Sequence, residues 1–158
     1  KQVIYRGTAK VGLKVSFERL KALARDEAAS GGGPLLQDPA FRAKLASAGV
    51  ALEAIEMTEH RVLAELASGK NPGPASSMLK AQGTEAMQRL DEIAIEGLAH
   101  YAAVDQIDAH APGANVPVIG PEHGLTSMAR YLNNRAASIY GGSNEIQRDI
   151  MARLVLGL

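Results

Sequence analysis

The run at residues 139–148 carries the residue types best suited to binding a ligand. Gly141 and Gly142 can turn the backbone sharply and let a ligand approach where no Cβ stands. Ser143 can cap a helix that starts after them, and the free amides at that helix start attract a polar or anionic group. The same residues would also serve as a plain corner between two helices, so the spacing alone leaves both interpretations open.

Other polar residues give weaker signals. No spacing typical of metal ligands links the four histidines, so no metal site is predicted. Glu53, Glu56 and Glu59 form a carboxylate row that Arg61 and Glu65 extend, and we interpret this row as an exposed, solvated helix face. No nucleophile elbow and no phosphate-binding glycine loop is present in the sequence.

Composition excludes several classes of protein. The 158 residues contain no cysteine, which excludes disulfide scaffolds, thiol nucleophiles and thiolate zinc sites. Seventeen basic residues balance seventeen acidic ones, so no basic field favours nucleic acid or anionic lipid. No apolar run is long enough to span a bilayer. We therefore expect one cytoplasmic domain over residues 1–158, with no nucleic-acid or membrane partner.

Helical spacing of apolar residues dominates the chain. A first helix is predicted from Val3 to about Ala29, ended by the Gly-Gly-Gly-Pro run at 31–34. Asp38 and Pro39 are typical of the start of a second helix, which would reach Gly69 and measure about 45 Å.

Three further helices are predicted. The third follows the turn at 70–74 and reaches Tyr101, with Gly83 and Gly97 on its apolar side where small residues allow close packing. A long irregular connection covers 105–121, a fourth helix 122–139, and a fifth 143–156. The pattern predicts an all-α fold, an antiparallel up-down four-helix bundle with an additional short C-terminal helix.

One long stretch resembles a known family. Residues 140–148 read Tyr-Gly-Gly-Ser-Asn-Glu-Ile-Gln-Arg, and residues 149–157 continue Asp-Ile-Met-Ala-Arg-Leu-Val-Leu-Gly. This run resembles the C-terminal signature of acyl-CoA dehydrogenases, and the similarity extends through residues 38–45, 77–80 and 130–137. It implies that residues 1–158 correspond to the family's C-terminal helical bundle domain, and that its N-terminal helical and middle β-domains are absent from this chain.

The resemblance implies an activity, a cofactor and partners. Members of the family are FAD-dependent oxidoreductases of fatty acid metabolism, usually tetramers. They oxidise the Cα–Cβ bond of an acyl-CoA and pass the electrons to an electron-transfer flavoprotein. A carboxylate removes the α-proton while the flavin takes the β-hydride, and such a base commonly accelerates a reaction by ~10²–10⁴-fold. Tyr140, Gly142, Ser143 and Glu145 match positions expected to contact FAD.

The catalytic base is not identified by this resemblance. Most relatives carry it as a glutamate directly after the tyrosine that matches Tyr140, where this chain has Gly141. Others carry it early in the first bundle helix, where the matching residue is Tyr5. An unperturbed tyrosine titrates near ~10 and is a poor base at neutral pH.

Two flavin-contacting turns of the family are also replaced, by residues 26–34 and by residues 98–104. Two hypotheses follow. The chain belongs to a dehydrogenase whose base comes from elsewhere, or it is a non-catalytic subunit or helical scaffold module of a hetero-oligomer whose partner supplies base and flavin. The chain alone is expected to be inactive in both cases.

Overall fold

Five α-helices form in the part of the chain that the structure describes, and the prediction of an all-α fold is confirmed. The computed structural model describes residues 8–28, 31–104 and 106–157. Its helices are α1 (Thr8–Asp26), α2 (Pro39–Ala67), α3 (Ala75–Leu98), α4 (Ser127–Asn134) and α5 (Asn144–Leu156). Within these ranges no strand forms, although Ala28 and Pro34 make an isolated antiparallel bridge. None of the described helices combines the length and apolarity needed to cross a membrane.

The start of α2 follows directly from its sequence. The Asp38 carboxylate accepts a hydrogen bond from the Phe41 amide at 2.7 Å, which satisfies one of the free amides of the first turn. Pro39 occupies the first helical position, where its missing N–H costs nothing. The predicted start and the predicted length of this helix are both confirmed.

The three long helices pack antiparallel around one apolar core. Lys14 of α1 pairs with Glu56 of α2 at 2.5 Å, while Phe17 lies against Gly49. A Cβ on Gly97 would stand 2.7 Å from Leu23, so the close approach predicted at this glycine is confirmed. Gly83 has nothing within 4 Å and faces open space instead. The largest core cluster consists of Leu13, Leu20, Ala24, Phe41, Leu45, Ala48, Leu52, Leu90, Ile93 and Ala94.

Helix α3 is the central element because it contacts each of the other four helices. Helix α4 runs antiparallel to it, and α5 packs across its first half. This arrangement places the loop between α4 and α5 directly beside α3.

The predicted fourth helix is interrupted. Residues 122–139 form a 3₁₀ turn (Glu122–Gly124), the short α4 and a second 3₁₀ turn (Arg135–Ser138) instead of one helix. The amide of Gln88 on α3 donates to the Asn134 carbonyl at 2.9 Å, and the Ser138 hydroxyl donates to the Arg135 carbonyl at 3.1 Å. Side chains therefore occupy carbonyls that a continuing helix would use.

The predicted third helix also ends early, at Leu98 instead of Tyr101. Ala99 has φ +49° and ψ −128°, outside the helical region, and a 3₁₀ helix (Ala99–Ala103) follows. The predicted first helix ends at Asp26. Val3 and Ala29, its expected limits, lie outside the described residues.

The interpretation of the carboxylate row as an exposed face holds only at Glu53. The Glu56 side chain is 16% exposed and pairs with Lys14, and Glu59 is only 3% exposed. Glu59 lies four residues after Ile55 and three before Val62, so it occupies the buried face of α2 with them. Its Oε2 accepts no hydrogen bond from the part of the chain that the structure describes.

Candidate functional site

The loop between α4 and α5 turns at two glycines, and we call residues 140–143 the Gly-Gly corner. Gly141 has φ +70° and Gly142 has φ +92°, conformations that L side chains rarely adopt. A Cβ on Gly142 would lie 2.5 Å from Nε2 of Gln147, whereas one on Gly141 would meet nothing within 4 Å. Tyr140 is 56% exposed. The corner is therefore open to the outside at Tyr140 and Gly141 and closely packed at Gly142.

The residues after the corner cap α5. Ser143 Oγ accepts a hydrogen bond from the Ile146 amide at 3.3 Å, which confirms the predicted cap. The pKa of Glu145 is lowered, first by a hydrogen bond from its own backbone amide and then by the Ser143 hydroxyl. Arg148 and Lys80 lower the pKa of Glu145 further through their charges. Ser143 and Glu145 thus stabilise the helix start, which is where anions bind best.

Asn144 anchors the corner to α3. It is 3% exposed, and its Oδ1 accepts hydrogen bonds from Lys80 Nζ at 2.8 Å and Thr84 Oγ1 at 3.1 Å. Its Nδ2 donates to Glu85 at 3.4 Å. Lys80 also donates to the Ala137 carbonyl at 3.2 Å. Lys80 therefore joins the chain before the corner to the chain after it.

Partial burial changes the pKa of Lys80. Desolvation lowers the pKa of its ammonium group, and the Glu145 carboxylate acts in the opposite direction. Sequence reasoning missed the anchoring role of Asn144 and Lys80, although both lie inside the motifs at 140–148 and 77–80. The one available signal was an asparagine at the first position of α5, directly after its capping serine.

A cavity of about 1170 Å³ extends from the corner along α3, and we call it the bundle cavity. Its α3 wall presents residues from Ser76 to Met87 at steps of three and four, which corresponds to about 16 Å of helix. Its apolar floor includes the buried side chains Leu13, Val62 and Leu79. Gly141 lines the cavity at the corner, so the corner opens into it.

The bundle cavity has cationic and polar lining residues. Among the described residues that line it, none is an aspartate or a glutamate. The basic ones are Lys70, Lys80 and Arg130. The residues predicted to contact FAD are Tyr140, Gly142 and Ser143 of the corner and Glu145 just after it, and none of them lines the cavity. Tyr5, the second candidate position for a base, lies outside the described residues.

A buried ion pair supports the far part of the cavity wall. Asp91 of α3 is 2% exposed and accepts from Arg130 Nε at 2.8 Å and from Asn134 Nδ2 at 2.6 Å. Arg130 and Asn134 lie one turn apart on α4, and both line the cavity. No local sequence pattern indicates this group, because its members come from two helices about 40 residues apart in the chain.

Comparison with known proteins identifies the family. The sequence model described as "Acyl-CoA dehydrogenase, C-terminal domain" matches residues 7–156. The chain belongs to the acyl-CoA dehydrogenase family. Among curated proteins no match is found for this chain.

Solved structures of acyl-CoA dehydrogenase fold share its architecture. A chain of the ChsE4-ChsE5 complex from Mycobacterium tuberculosis is 24% identical with a TM-score of 0.71, over 94% of this chain and 36% of that one. A chain of the Tcur3481-Tcur3483 steroid ACAD is 24% identical with a TM-score of 0.69, over 94% and 35%. PigA with FAD and proline is 22% identical with a TM-score of 0.74, over 95% and 34%. The protein thus spans about a third of the length of these relatives, and the likeness concerns the fold.

The segment at residues 98–104, where the resemblance predicted a replaced turn, has one unusual backbone conformation. Ala99 there has φ +49° and ψ −128°. A glycine would hold that backbone conformation without strain.

Proposed function

We propose that this chain is the C-terminal bundle domain, over residues 1–158, of a flavin-dependent acyl-CoA dehydrogenase. It contributes to FAD binding, to the α,β-dehydrogenation of an acyl-CoA in fatty acid metabolism, and to oligomerisation in the cytoplasm. An electron-transfer flavoprotein accepts the electrons. The observation that carries the proposal is the opening of the Gly-Gly corner, through Gly141, into the bundle cavity.

The corner fits a flat ring system with polar edges, such as the isoalloxazine of FAD. Gly141 leaves its surroundings open, and the exposed ring of Tyr140 is next to it in the chain. Gly142 and Ser143 offer backbone groups and Glu145 offers a carboxylate at the start of α5, where the amides of Glu145 and Ile146 already bond the Glu145 carboxylate and the Ser143 hydroxyl. FAD supplies the hydride acceptor when it is bound.

The remaining residues hold this surface in place. Asn144 and Lys80 fix both sides of the corner to α3, so the polar groups are positioned before a ligand arrives. The apolar floor at Leu13, Val62 and Leu79 offers an acyl chain a surface away from water. No lining residue among those described offers a carboxylate that could remove the α-proton.

That lack of a carboxylate favours a second candidate function. The chain would then be the non-catalytic subunit, or a helical scaffold module, of a hetero-oligomeric dehydrogenase. A partner subunit would contribute the base. Two of the structural relatives, chains of the ChsE4-ChsE5 complex and of the Tcur3481-Tcur3483 steroid ACAD, come from assemblies of two named proteins.

Purification of the full-length protein, alone and together with the product of a neighbouring dehydrogenase gene, tests both functions. The measurements are visible flavin absorbance, FAD content per chain, and reduction of an electron acceptor with an acyl-CoA. Flavin and turnover in the single protein support the first function and exclude the second. Turnover only in the mixture supports the second function. If the single protein and the mixture are both colourless and inactive, the proposed dehydrogenase activity is contradicted.

Two glycine variants make the flavin measurement specific to the corner. Gly142→Ala introduces a Cβ at φ +92° against Gln147 and is expected to lower FAD content. Gly113→Ala has a similar strain at φ +78° in the connection between α3 and α4, with nothing within 4 Å, and should leave FAD content unchanged. Equal FAD content in both variants would contradict a binding role for the corner.

A further inference from the structure

Arg130 is held by one nitrogen only. Its Nε donates to Asp91, while the second oxygen of Asp91 is taken by Asn134. The terminal nitrogens of the guanidinium group have no partner among the described residues, so four of its five N–H donors are available. Because Asp91 is 98% buried by the surrounding helices, the orientation of Arg130 is fixed.

Arg130 lines the bundle cavity, and its neighbours there can assist it. Asn134 lines the cavity one helical turn away, and no lining residue in the described ranges is acidic. At long range, the negative charge of Asp91 offsets the positive charge of Arg130. Recognition therefore depends on the directional N–H donors of the guanidinium, which suit the planar, two-oxygen geometry of a carboxylate.

The position of Arg130 relative to the corner indicates which part of a ligand it meets. Thr84 binds Asn144 beside the corner, and Asp91 binds Arg130 seven residues further along α3. Seven residues of helix correspond to about 10 Å. An acyl chain whose thioester lies at the corner would cover this distance along the cavity wall at Met87, which lines the cavity between Thr84 and Arg130.

From this geometry we infer that the bundle cavity accepts an acyl group whose far end carries a carboxylate, and that Arg130 binds that carboxylate. The inference rests on the proposed function for the position of the thioester, and it names the substrate class. Arg130 is in this role a specificity-determining residue and takes no part in the chemical step.

Equilibrium binding by calorimetry tests the inference without requiring turnover. The full-length protein, with any partner it needs, is titrated with suberoyl-CoA, with octanoyl-CoA of equal chain length, and with CoA alone. We expect suberoyl-CoA to bind about 10- to 100-fold more tightly than octanoyl-CoA, the usual effect of a charge-assisted pair. Equal affinity for the two acyl-CoA ligands would overturn the inference.

Three variants assign the preference to one side chain. Arg130→Gln should abolish it, whereas Arg130→Lys keeps the pairing with Asp91 and should retain part of it. Arg153→Gln removes an exposed arginine that pairs with Asp149 on α5 and should change nothing. A preference that survives in Arg130→Gln overturns the inference.

The CoA titration distinguishes a carboxylate from a phosphate. If Arg130→Gln weakens all three ligands equally, including CoA alone, the arginine binds a phosphate of the coenzyme and the assignment to the acyl carboxylate is wrong. A protein that prefers suberoyl-CoA but neither binds flavin nor turns over would contradict the proposed dehydrogenation while supporting this inference. The two proposals therefore fail on different measurements.

Discussion

Ala99 holds a backbone conformation that residues with a side chain rarely adopt. At φ +49° and ψ −128° it lies in a sparsely populated backbone region, which costs roughly 1–3 kcal/mol. We predict that Ala99→Gly raises the free energy of unfolding by about 1 kcal/mol, because the relief of strain exceeds the added freedom of the unfolded chain. Urea denaturation measures this change.

A neighbouring alanine provides the control for Ala99→Gly. Ala103 is exposed at the end of the same 3₁₀ helix and does not have a positive φ. Ala103→Gly should therefore leave stability unchanged or lower it slightly. Destabilisation by both substitutions would mean that Ala99 is not strained.

Glu145 should stabilise the folded protein in a pH-dependent way. Its folded-state pKa is lowered by its own amide and by Ser143, so its contribution is present above the ordinary carboxyl value of 4.5. The contribution disappears as the pH falls through the lower, folded-state pKa. We expect the stability difference between the wild type and Glu145→Gln to be largest near neutral pH and to shrink on acidification.

Urea unfolding at a series of pH values measures this difference. In a Ser143→Ala background the pH dependence should be smaller, because the hydroxyl that donates to the carboxylate is missing. A difference that stays constant down to the most acidic pH would show that Glu145 has no special interaction in the folded state.

At the scale of elements, the contact between the corner and α3 depends on Asn144. Asn144→Ala removes the buried side chain that Lys80 and Thr84 share as an acceptor and leaves these two partly buried donors with only their backbone acceptors. We predict a loss of about 2 kcal/mol in the free energy of unfolding, together with a lower FAD content of the full-length protein. Chemical denaturation and flavin absorbance give the two readouts.

Asn133→Ala is the matched control, because Asn133 is exposed on α4. Asn133→Ala should change the free energy of unfolding and the FAD content little. If Asn144→Ala lowered stability but left flavin content unchanged, the anchor would support the fold without shaping a binding surface.

The sequence allowed prediction of those elements whose signals are local. Asp38 and Pro39 start α2, and Ser143 starts α5, because each cap bonds amides within its own first turn. The break after α4 was not predictable, since it depends on Gln88, 46 residues away on α3. The acceptor role of Asn144 was not predictable for the same reason, because its donors, Lys80 and Thr84, lie on another helix.

Charge patterning was likewise an unreliable guide to burial. Glu59 lies among charged neighbours in sequence but on the same face as Ile55 and Val62 in the helix. Helical periodicity outweighs local composition in deciding which side of α2 faces the core. The glycines gave a better signal, since Gly141 and Gly142 both have the positive φ that favours glycine.

For the molecule as a whole, exposed apolar residues on α5 support the expected oligomerisation. Ile146, Ile150 and Leu154 recur every four residues and are 37–62% exposed, so they form one apolar stripe along α5, with Ile150 also lining the edge of the bundle cavity. We predict that the protein self-associates or binds its partner subunit through this stripe, and that Leu154→Glu weakens the assembly at least tenfold. Sedimentation analysis measures the change.

Leu63→Glu is the control for position, because Leu63 is similarly exposed but lies on α2. It should leave the assembly unchanged if the α5 stripe is the contact. A strictly monomeric wild type that binds no partner subunit would contradict the oligomeric part of the proposal.

Helix α5 has its main packing on α3, whereas α1 and α2 also pack on each other. The C-terminal helix can therefore detach as a unit while the three long helices keep their common core. Such opening would break the contacts of Asn144 with Lys80 and Thr84 and release the corner. A ligand bound at the corner is therefore expected to suppress the detachment of α5. It should slow hydrogen exchange of the α5 amides more strongly than that of the α2 amides.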